Sequence, residues 1–96
     1  MKACLFTPAA AADLDAIWDY TAEYWNADQA DRYTDTLRDA CHDLASGRRR
    51  GQRATVRQGY MKCRVALHFI YYREDASDLV VIRILHGKMD AERHLH

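Results

Sequence analysis

The chain has 96 residues, of which 49% are hydrophobic and 29% are charged, and its 14 basic and 14 acidic side chains give a formal net charge of zero. This length suits one domain with a modest core. A membrane-spanning helix needs about 20 consecutive apolar residues, which no stretch provides, and the first residues are not typical of a signal peptide. We therefore expect a single domain over residues 1–96, located in the cytoplasm and without membrane contact.

The charges are unevenly distributed along the chain. Residues 1–45 carry three basic and nine acidic side chains, whereas residues 46–96 carry eleven basic and five acidic ones. Two differently solvated surfaces that attract each other within the fold would explain this pattern. A basic face for an acidic partner segment or for nucleic acid would explain it equally well, and both explanations stay open.

Cysteine and histidine do not form a metal-binding pattern. Cys4, Cys41 and Cys63 are odd in number, and no close Cys/His pair precedes another among the five histidines. We expect free thiols in a reducing cytosol, no disulfide, no metal site and no cofactor.

The first half of the chain predicts a strand, Ala3–Phe6, followed by two helices. Thr7 and Pro8 suit the start of the first helix, Asn26 with Gln29 suits the start of the second, and the Ser46-Gly47 pair suits its end. Almost no loop separates the helices, so they should form an antiparallel hairpin. The stripes at helical spacing are Leu14, Ile17, Trp18, Thr21 and Trp25, then Ala30, Tyr33, Leu37, Cys41 and Leu44. We expect Ile17, Trp18, Leu37 and Leu44 in the core.

The second half predicts a sheet. A basic loop, residues 48–53, carries arginine at 48, 49, 50 and 53. Strand-like stretches follow at residues 55–56, 60–65, 69–73 and 79–85, with a polar loop at 74–78. The expected class is α+β: an N-terminal strand, an antiparallel helical hairpin, then three to four antiparallel strands in one sheet.

The most informative stretch is residues 82–95, where a β-branched apolar run breaks at His86-Gly87 into a tail with both charges and two histidines. This tail resembles the end of ParE-type toxins of the RelE/ParE toxin–antitoxin superfamily. The resemblance extends over nearly the whole chain, as a single toxin domain. The matching segments are residues 7–10, 13–14, 17–20, 29–33, 59–60, 64 and 68–73. Two positions depart from the family pattern: Ala66-Leu67 replaces a turn that usually contains glycine, and Ala91 replaces a frequent proline.

The resemblance implies a type II toxin that arrests growth by inhibiting DNA gyrase, through its A subunit, and is neutralised by a ParD-like antitoxin. DNA would be contacted only indirectly, through that antitoxin. RelE-like relatives instead cleave mRNA on the ribosome. In our alignment their key side chains fall at Phe69, Met89 and Leu95, which supply neither charge nor proton transfer. We therefore expect no enzyme and no catalytic residues, although Lys62, Arg64, His86 and His94 are candidates for a different acid–base set.

A nucleic-acid-binding module that uses residues 48–53 and the sheet is a further alternative, although the acidic helices would repel phosphates and the paired aromatics of an RNA-recognition sheet are missing. For the toxin hypothesis we expect target contacts in residues 86–95, where Gly87 frees the backbone, with Leu95 either an apolar contact or a cover for the sheet end. The target-binding candidates are His86, Lys88, Met89, Arg93 and His94. The antitoxin-binding candidates are Trp25, Arg32, Tyr33, Lys62, Arg64 and Arg73.

Overall fold

The computed structural model describes residues 2–95, which form five strands and three helices. In chain order these are β1 (Ala3–Phe6), α1 (Pro8–Tyr24), α2 (Ala27–Ser46), β2 (Gln52–Arg53), β3 (Met61–Val65), β4 (His68–Glu74), β5 (Asp78–His86) and α3 (Ala91–His94).

The strands form one sheet in the order β1-β5-β4-β3-β2. The four strands of the C-terminal half are antiparallel, and β1 joins them as the parallel neighbour of β5. The predicted α+β class, with its helical hairpin and its antiparallel sheet, is confirmed. The position of β1 beside the last strand is a long-range pairing that no local pattern specifies.

The helices begin and end at the predicted signals. The Thr7 hydroxyl accepts a hydrogen bond from the Ala10 N–H at 3.1 Å, and the Asn26 side chain accepts one from the Gln29 N–H at 2.8 Å. Gly47 ends α2 with a φ of 83°, a left-handed conformation that glycine adopts without steric penalty. Only Trp25 and Asn26 separate α1 from α2, and so short a connection makes the two helices run antiparallel.

The helical hairpin covers one face of the sheet, which we call the helix face. Leu37 is fully buried and Leu44 is 5% exposed, as expected, and Ile17 packs against their cluster while half-buried. The expectation was wrong for Trp18, which is half-buried and lies outside this core. Its indole N–H donates to the Asp31 carboxylate at 2.8 Å, so the ring lies on the outside of the hairpin, where its polar atom has a partner.

The opposite face, which we call the outer face, carries a smaller apolar cluster. A bulge in β5, opposite Tyr71 and Tyr72, interrupts the alternation of that strand and lets Val81 and Ile84 both contact the helix-face core. The outer cluster consists of buried Ala54, Tyr71, Leu85 and Leu95, with partly buried Val56, Tyr60, Phe69, Ile82 and Ala91 around them.

The prediction of a strand at residues 55–56 was wrong. These residues form a turn that Gly59 closes with a φ of 84°, and the ladder to β3 is made instead by β2, inside the predicted basic loop. The predicted strands at 60–65, 69–73 and 79–85 are confirmed to within one residue at each end. Ala66, in the turn where the family usually has glycine, has a φ of 52°, which is unfavourable for a residue with a Cβ atom.

Candidate partner-binding surfaces

The C-terminal segment, residues 86–95, leaves the sheet at the end of β5 and folds back over the outer face. The Gly87 N–H donates to the Leu67 carbonyl at 2.9 Å, so the segment starts beside the turn between β3 and β4. Asp90 then caps α3 by accepting from the Glu92 N–H at 3.1 Å. Leu95 is 5% exposed within the outer cluster. Of the two roles considered for Leu95, covering the sheet is therefore the one it has.

The five target-binding candidates of this segment differ in accessibility. Lys88, Met89 and Arg93 are exposed, whereas His86 and His94 are half-buried. The Nδ1 atom of His86 accepts a hydrogen bond from the Lys88 N–H at 3.1 Å, which holds the turn after β5. The first three side chains are thus free to meet a partner, and the two histidines have contacts within the domain.

A bidentate ion pair connects α1 with β5. The Asp13 carboxylate accepts from Arg83 Nε at 2.7 Å and Nη2 at 2.8 Å, and also from the Ile84 N–H at 2.9 Å. This pairing raises the pKa of Arg83, against the opposing effect of burial. Arg83 also donates to the His94 carbonyl at 3.4 Å. The pair therefore joins the first helix, the last strand and the C-terminal segment.

A chain of polar side chains crosses from α2 to the end of the sheet. The Tyr33 hydroxyl lies 2.7 Å from His68 Nδ1 and accepts from the Leu67 N–H at 3.2 Å. The rings of His68 and His86 are cross-strand neighbours with centroids 5.3 Å apart. Tyr33, an antitoxin-binding candidate, is therefore half-buried, and its hydroxyl is occupied within the domain.

This arrangement favours neutral histidine. Because the Tyr33 hydroxyl accepts from a backbone N–H, its own hydrogen is free to point to His68 Nδ1, which must then be unprotonated. Burial, with a smaller contribution from His86, lowers the pKa of His68 to about 4, and the Asp13 charge opposes this shift. Sequence analysis missed His68; its alternation with Ile70 along β4 was the available signal that it faces the helices.

The outer face carries cations over aromatic rings. Lys62 Nζ lies 5.4 Å and the Arg64 guanidinium 5.7 Å from the centroid of the Phe69 ring. Arg64 also donates to the Ala66 carbonyl at 3.1 Å, and Arg73 is exposed on the same strand pair. The three basic antitoxin-binding candidates therefore share the outer face, with Arg64 and Arg73 near opposite ends of β4.

The candidate acid–base groups do not converge. Lys62 and Arg64 lie on the outer face, whereas His86 packs against His68 on the helix face. His94 belongs to the C-terminal segment, where its backbone carbonyl accepts from Arg83. No single reacting atom could lie within about 3 Å of all these groups, because the sheet separates His86 from Lys62 and Arg64.

The tip of the helical hairpin exposes three aromatic side chains. Trp25 is 75% exposed, Tyr24 65% and Tyr20 63%. The two tyrosine rings stack with their centroids 4.4 Å apart. Only Trp25 was among the sequence candidates. The signal for the tyrosines was their spacing of four residues, which brings two side chains together on a helix.

The antitoxin-binding candidates therefore divide between two regions of opposite charge. Trp25 and exposed Arg32 lie on the acidic helical hairpin, and Lys62, Arg64 and Arg73 lie on the sheet. The structure does not bring the six candidates together into one surface.

The basic loop borders a shallow cavity of about 560 Å³ at the C-terminal end of α2. Arg49 and Arg50 line the cavity, and all four arginines of the loop, Arg48, Arg49, Arg50 and Arg53, are exposed. Lys2 pairs with Glu74 at 2.8 Å across the cavity rim. The arginines are solvated and none of them forms an ion pair with another part of the described chain, residues 2–95.

The thiols are free, and burial, with a smaller contribution from the other two cysteines, raises the pKa of Cys41 to about 12. Within residues 2–95, no group of three or more His, Cys, Asp or Glu is arranged to hold a metal ion. In the same range, no helix is long and apolar enough to cross a membrane.

Comparison with known proteins identifies the family. Residues 4–91 match the profile of the ParE toxin of the type II toxin–antitoxin system parDE. Toxin ParE1 of Mycobacterium tuberculosis is 38% identical over 93 residues, 95% of each chain, and Toxin ParE1 of Caulobacter vibrioides is 34% identical over 96 residues, 99% of each chain. A solved structure, the chromosomal ParDE toxin–antitoxin system of P. aeruginosa, has the same fold, with a TM-score of 0.79 at 20% identity over 90% of this chain and 96% of that one. The chain belongs to the ParE toxin family of type II toxin–antitoxin systems.

Proposed function

We propose that this ParE toxin inhibits DNA gyrase by binding it, with the A subunit as the contact, and that a ParD-like antitoxin neutralises the toxin by direct binding in the cytoplasm. The chain itself makes no contact with DNA, and its only route to DNA is through the antitoxin. The family assignment supports the toxin and antitoxin parts of the proposal. The observation that carries the mode of action is the separation of the candidate acid–base groups by the sheet.

RNA cleavage needs a base for the 2′-hydroxyl, a cation for the charge that develops on phosphorus and an acid for the leaving oxygen, all around one atom. Lys62 and Arg64 lie on the outer face and His86 on the helix face. The positions equivalent to the ribonuclease side chains hold a ring that stacks under cations, a thioether and a buried aliphatic chain. Protein binding requires none of these groups, so we propose a protein-binding toxin that is not an enzyme.

The test is a pair of assays on the purified chain. Added to gyrase and relaxed plasmid, it should lower the yield of supercoiled DNA. Added to a translating extract, it should leave mRNA intact at every codon boundary. Full supercoiling activity together with ribosome-dependent mRNA cleavage would contradict the proposal and favour the ribonuclease activity of the RelE-like relatives.

The C-terminal segment is the proposed target contact. Lys88, Met89 and Arg93 are accessible and combine two cations with an adaptable apolar side chain. Deleting the segment is a poor test, because the loss of Leu95 would uncover the outer cluster. The sharper variant is Lys88→Glu/Arg93→Glu, which changes exposed charges only, with Arg38→Glu on α2 as the control. We expect the double variant to lose gyrase inhibition and the control to retain it.

The outer face is the proposed antitoxin surface. ParD-type antitoxins, according to the family resemblance, carry a flexible segment that orders on the toxin, and such a segment suits a broad, open surface. Arg73 is the cleaner residue for a test, since Arg64 also holds the turn at residue 66. We expect Arg73→Ala to weaken antitoxin binding and Arg38→Ala to leave the affinity unchanged. Unchanged affinity in both Arg64→Ala and Arg73→Ala would remove the electrostatic part of the proposal.

A further inference from the structure

The helical hairpin extends beyond the end of the sheet. α2 is held to this end by the Tyr33 hydroxyl, which is hydrogen-bonded to His68 and accepts from the Leu67 N–H in the turn between β3 and β4. α2 begins at Ala27, six residues before Tyr33, which at the helical rise corresponds to roughly 9 Å of further length, and Trp25 lies in the connection before it. The hairpin tip, which we define as Tyr20, Tyr24 and Trp25 with their acidic neighbours, thus projects past the strands.

The buried stripe of α1 continues into the tip, where its side chains become exposed. Ala10 is fully buried and Leu14 is 5% exposed, and at helical spacing the same stripe passes through Ile17 and Thr21 to Tyr24, which is 65% exposed. Tyr20 stacks on Tyr24 from the adjacent turn. The helix therefore carries aromatic side chains on the continuation of its buried face, and residues 2–95 leave them largely exposed.

The charge on the tip itself is predominantly negative, and exposed Arg32 is the first basic residue of α2 beyond it. Residues 3–31 contain six acidic side chains and no lysine or arginine. Asp13 and Asp31 have internal partners, whereas Asp19, Glu23 and Asp28 are exposed and form no salt bridge within residues 2–95. The last turn of α1 carries no basic residue. The partial negative charge of its carbonyl end is offset by the partial positive charge of the adjacent α2 N-terminus, so the negative field at the tip comes from the carboxylates.

The tip lies at the same end of the molecule as the proposed target contact. Leu67, 60% exposed, lies in the turn next to Tyr33, and its carbonyl accepts from the Gly87 N–H, where the C-terminal segment begins. Exposed Lys88 and Met89 follow directly. A partner that reaches these two side chains therefore meets the hairpin tip at the same end of the molecule, whereas Arg73 lies toward the opposite end of β4.

We propose that the hairpin tip docks onto the arginine-rich surface with which DNA gyrase holds its DNA. This inference rests on the proposed function, in which gyrase is the target. A protein that binds DNA presents arginine and lysine to the phosphates. Arginine stacks on exposed tryptophan and tyrosine rings and pairs with carboxylates. The tip offers both kinds of partner in one place. Trp25 is therefore a target contact, and it does not belong to the antitoxin surface on the sheet.

The first experiment removes the rings. In Tyr20→Ser/Tyr24→Ser/Trp25→Ser, the concentration of toxin needed for half-inhibition of supercoiling by gyrase should rise about tenfold or more, because buried aromatics dominate binding energy at interfaces. Antitoxin affinity and thermal midpoint should stay close to those of the unmodified chain, since these side chains pack against little of the domain. Duplex DNA should compete with the unmodified toxin for the purified A subunit.

The second experiment changes only charge. Asp19→Lys/Glu23→Lys should weaken binding to the A subunit and reduce its dependence on salt concentration. The matched control, Asp35→Lys/Asp39→Lys, makes the same change in net charge on exposed α2 positions away from the tip and should have little effect. This pair decides the question if the triple serine variant does not fold.

The outcomes separate the two proposals. If the unmodified toxin leaves gyrase fully active, the proposed function fails, and the docking surface inferred here fails with it. If the unmodified toxin inhibits gyrase and the tip variants inhibit it equally well, the proposed function stands and only the inference about the tip is overturned. Loss of antitoxin affinity in the tip variants, with gyrase inhibition retained, would assign the tip to the antitoxin and also overturn it.

Discussion

The two faces of the sheet are stabilised in different ways. The helix face is covered by two long helices and buries fourteen residues in one cluster, whereas the outer face buries only four, under a short segment and a turn. Part of the remaining outer surface is covered by the stems and charges of Lys62 and Arg64, over the Phe69 ring. The helix face therefore supplies most of the stability, and the outer face keeps side chains accessible to partners.

Leucine-to-alanine substitutions on the two faces give the largest expected effects. Leu37 is fully enclosed on the helix face, so Leu37→Ala should lower the free energy of unfolding by about 3 kcal/mol. Leu95 lies at the end of the chain segment that covers the outer face, where the surroundings relax easily, so Leu95→Ala should lower it by about 1–2 kcal/mol. Urea denaturation measures both values, and equal losses would mean that the two faces are equally well packed.

Loss of the ion pair between Asp13 and Arg83 should have the next largest effect on stability, because the pair connects α1 of the hairpin to β5 of the sheet. The Asp13 and Arg83 side chains are 14% and 22% exposed, so solvent partly screens the pair. Asp13→Ala also leaves the Ile84 N–H without its acceptor, and it should lower the free energy of unfolding by about 2 kcal/mol. The control, Asp35→Ala, removes an exposed pair and should change the free energy of unfolding by less than about 0.5 kcal/mol. A similar value for both variants would contradict the structural role given to Asp13.

The histidine cluster makes the helix face sensitive to pH. The folded-state pKa of His68 is lowered to about 4 from its usual 6.5, so the unfolded chain binds more protons between these values. Stability should therefore be complete above pH 6.5 and decline as the pH falls toward 4. Allowing for the partial exposure of the ring, the loss is about 1–2 kcal/mol.

Thermal denaturation of the unmodified chain and of His68→Gln, between pH 4 and 7, measures this effect. The variant cannot titrate at that position, so its midpoint should depend less on pH than that of the unmodified chain. His42→Gln, which changes an exposed histidine on α2, should keep the full pH dependence. Parallel curves for all three proteins would show that the cluster does not control the pH dependence.

The smallest effect concerns the turn at Ala66. Because φ is 52° there, Ala66→Gly should relieve backbone strain and raise the free energy of unfolding by about 0.5–1 kcal/mol. Ala76→Gly, in the other hairpin loop, has no such strain to relieve and should slightly lower stability through the added freedom of the unfolded chain. A stabilisation of the same size at both positions would exclude backbone strain as the cause.

Local signals in the sequence predicted much of the fold. The caps at Thr7, Asn26 and Gly47 act within a few residues, and the apolar stripes have a fixed period, so both helices could be placed from the sequence. The error at residues 55–56 has a local cause as well: two β-formers lie in a turn that Gly59 closes, and the ladder uses the polar residues before them.

Contacts between distant residues could not be predicted in the same way. Tyr33 and His68 are 35 positions apart, and their hydrogen bond depends on the docking of α2 against the sheet. The charge asymmetry between the two halves was visible in the sequence, but the division of the antitoxin-binding candidates between two surfaces was not. The wrong expectation for Trp18 has a similar cause. The spacing of a helical stripe does not show which of its aromatic side chains lies at the edge of the core and which lies inside it.

The position of β5 between β1 and β4 determines when the protein acquires its fold during synthesis. The helical hairpin leaves the ribosome first, yet the strands on which its apolar stripe packs are translated later. β1 pairs with residues 78–81, and the bonds between Asp13 and Arg83 span 70 positions. A nascent chain that ends before β5 therefore lacks both contacts, and the helical hairpin can dock on the sheet only after β5 has been translated.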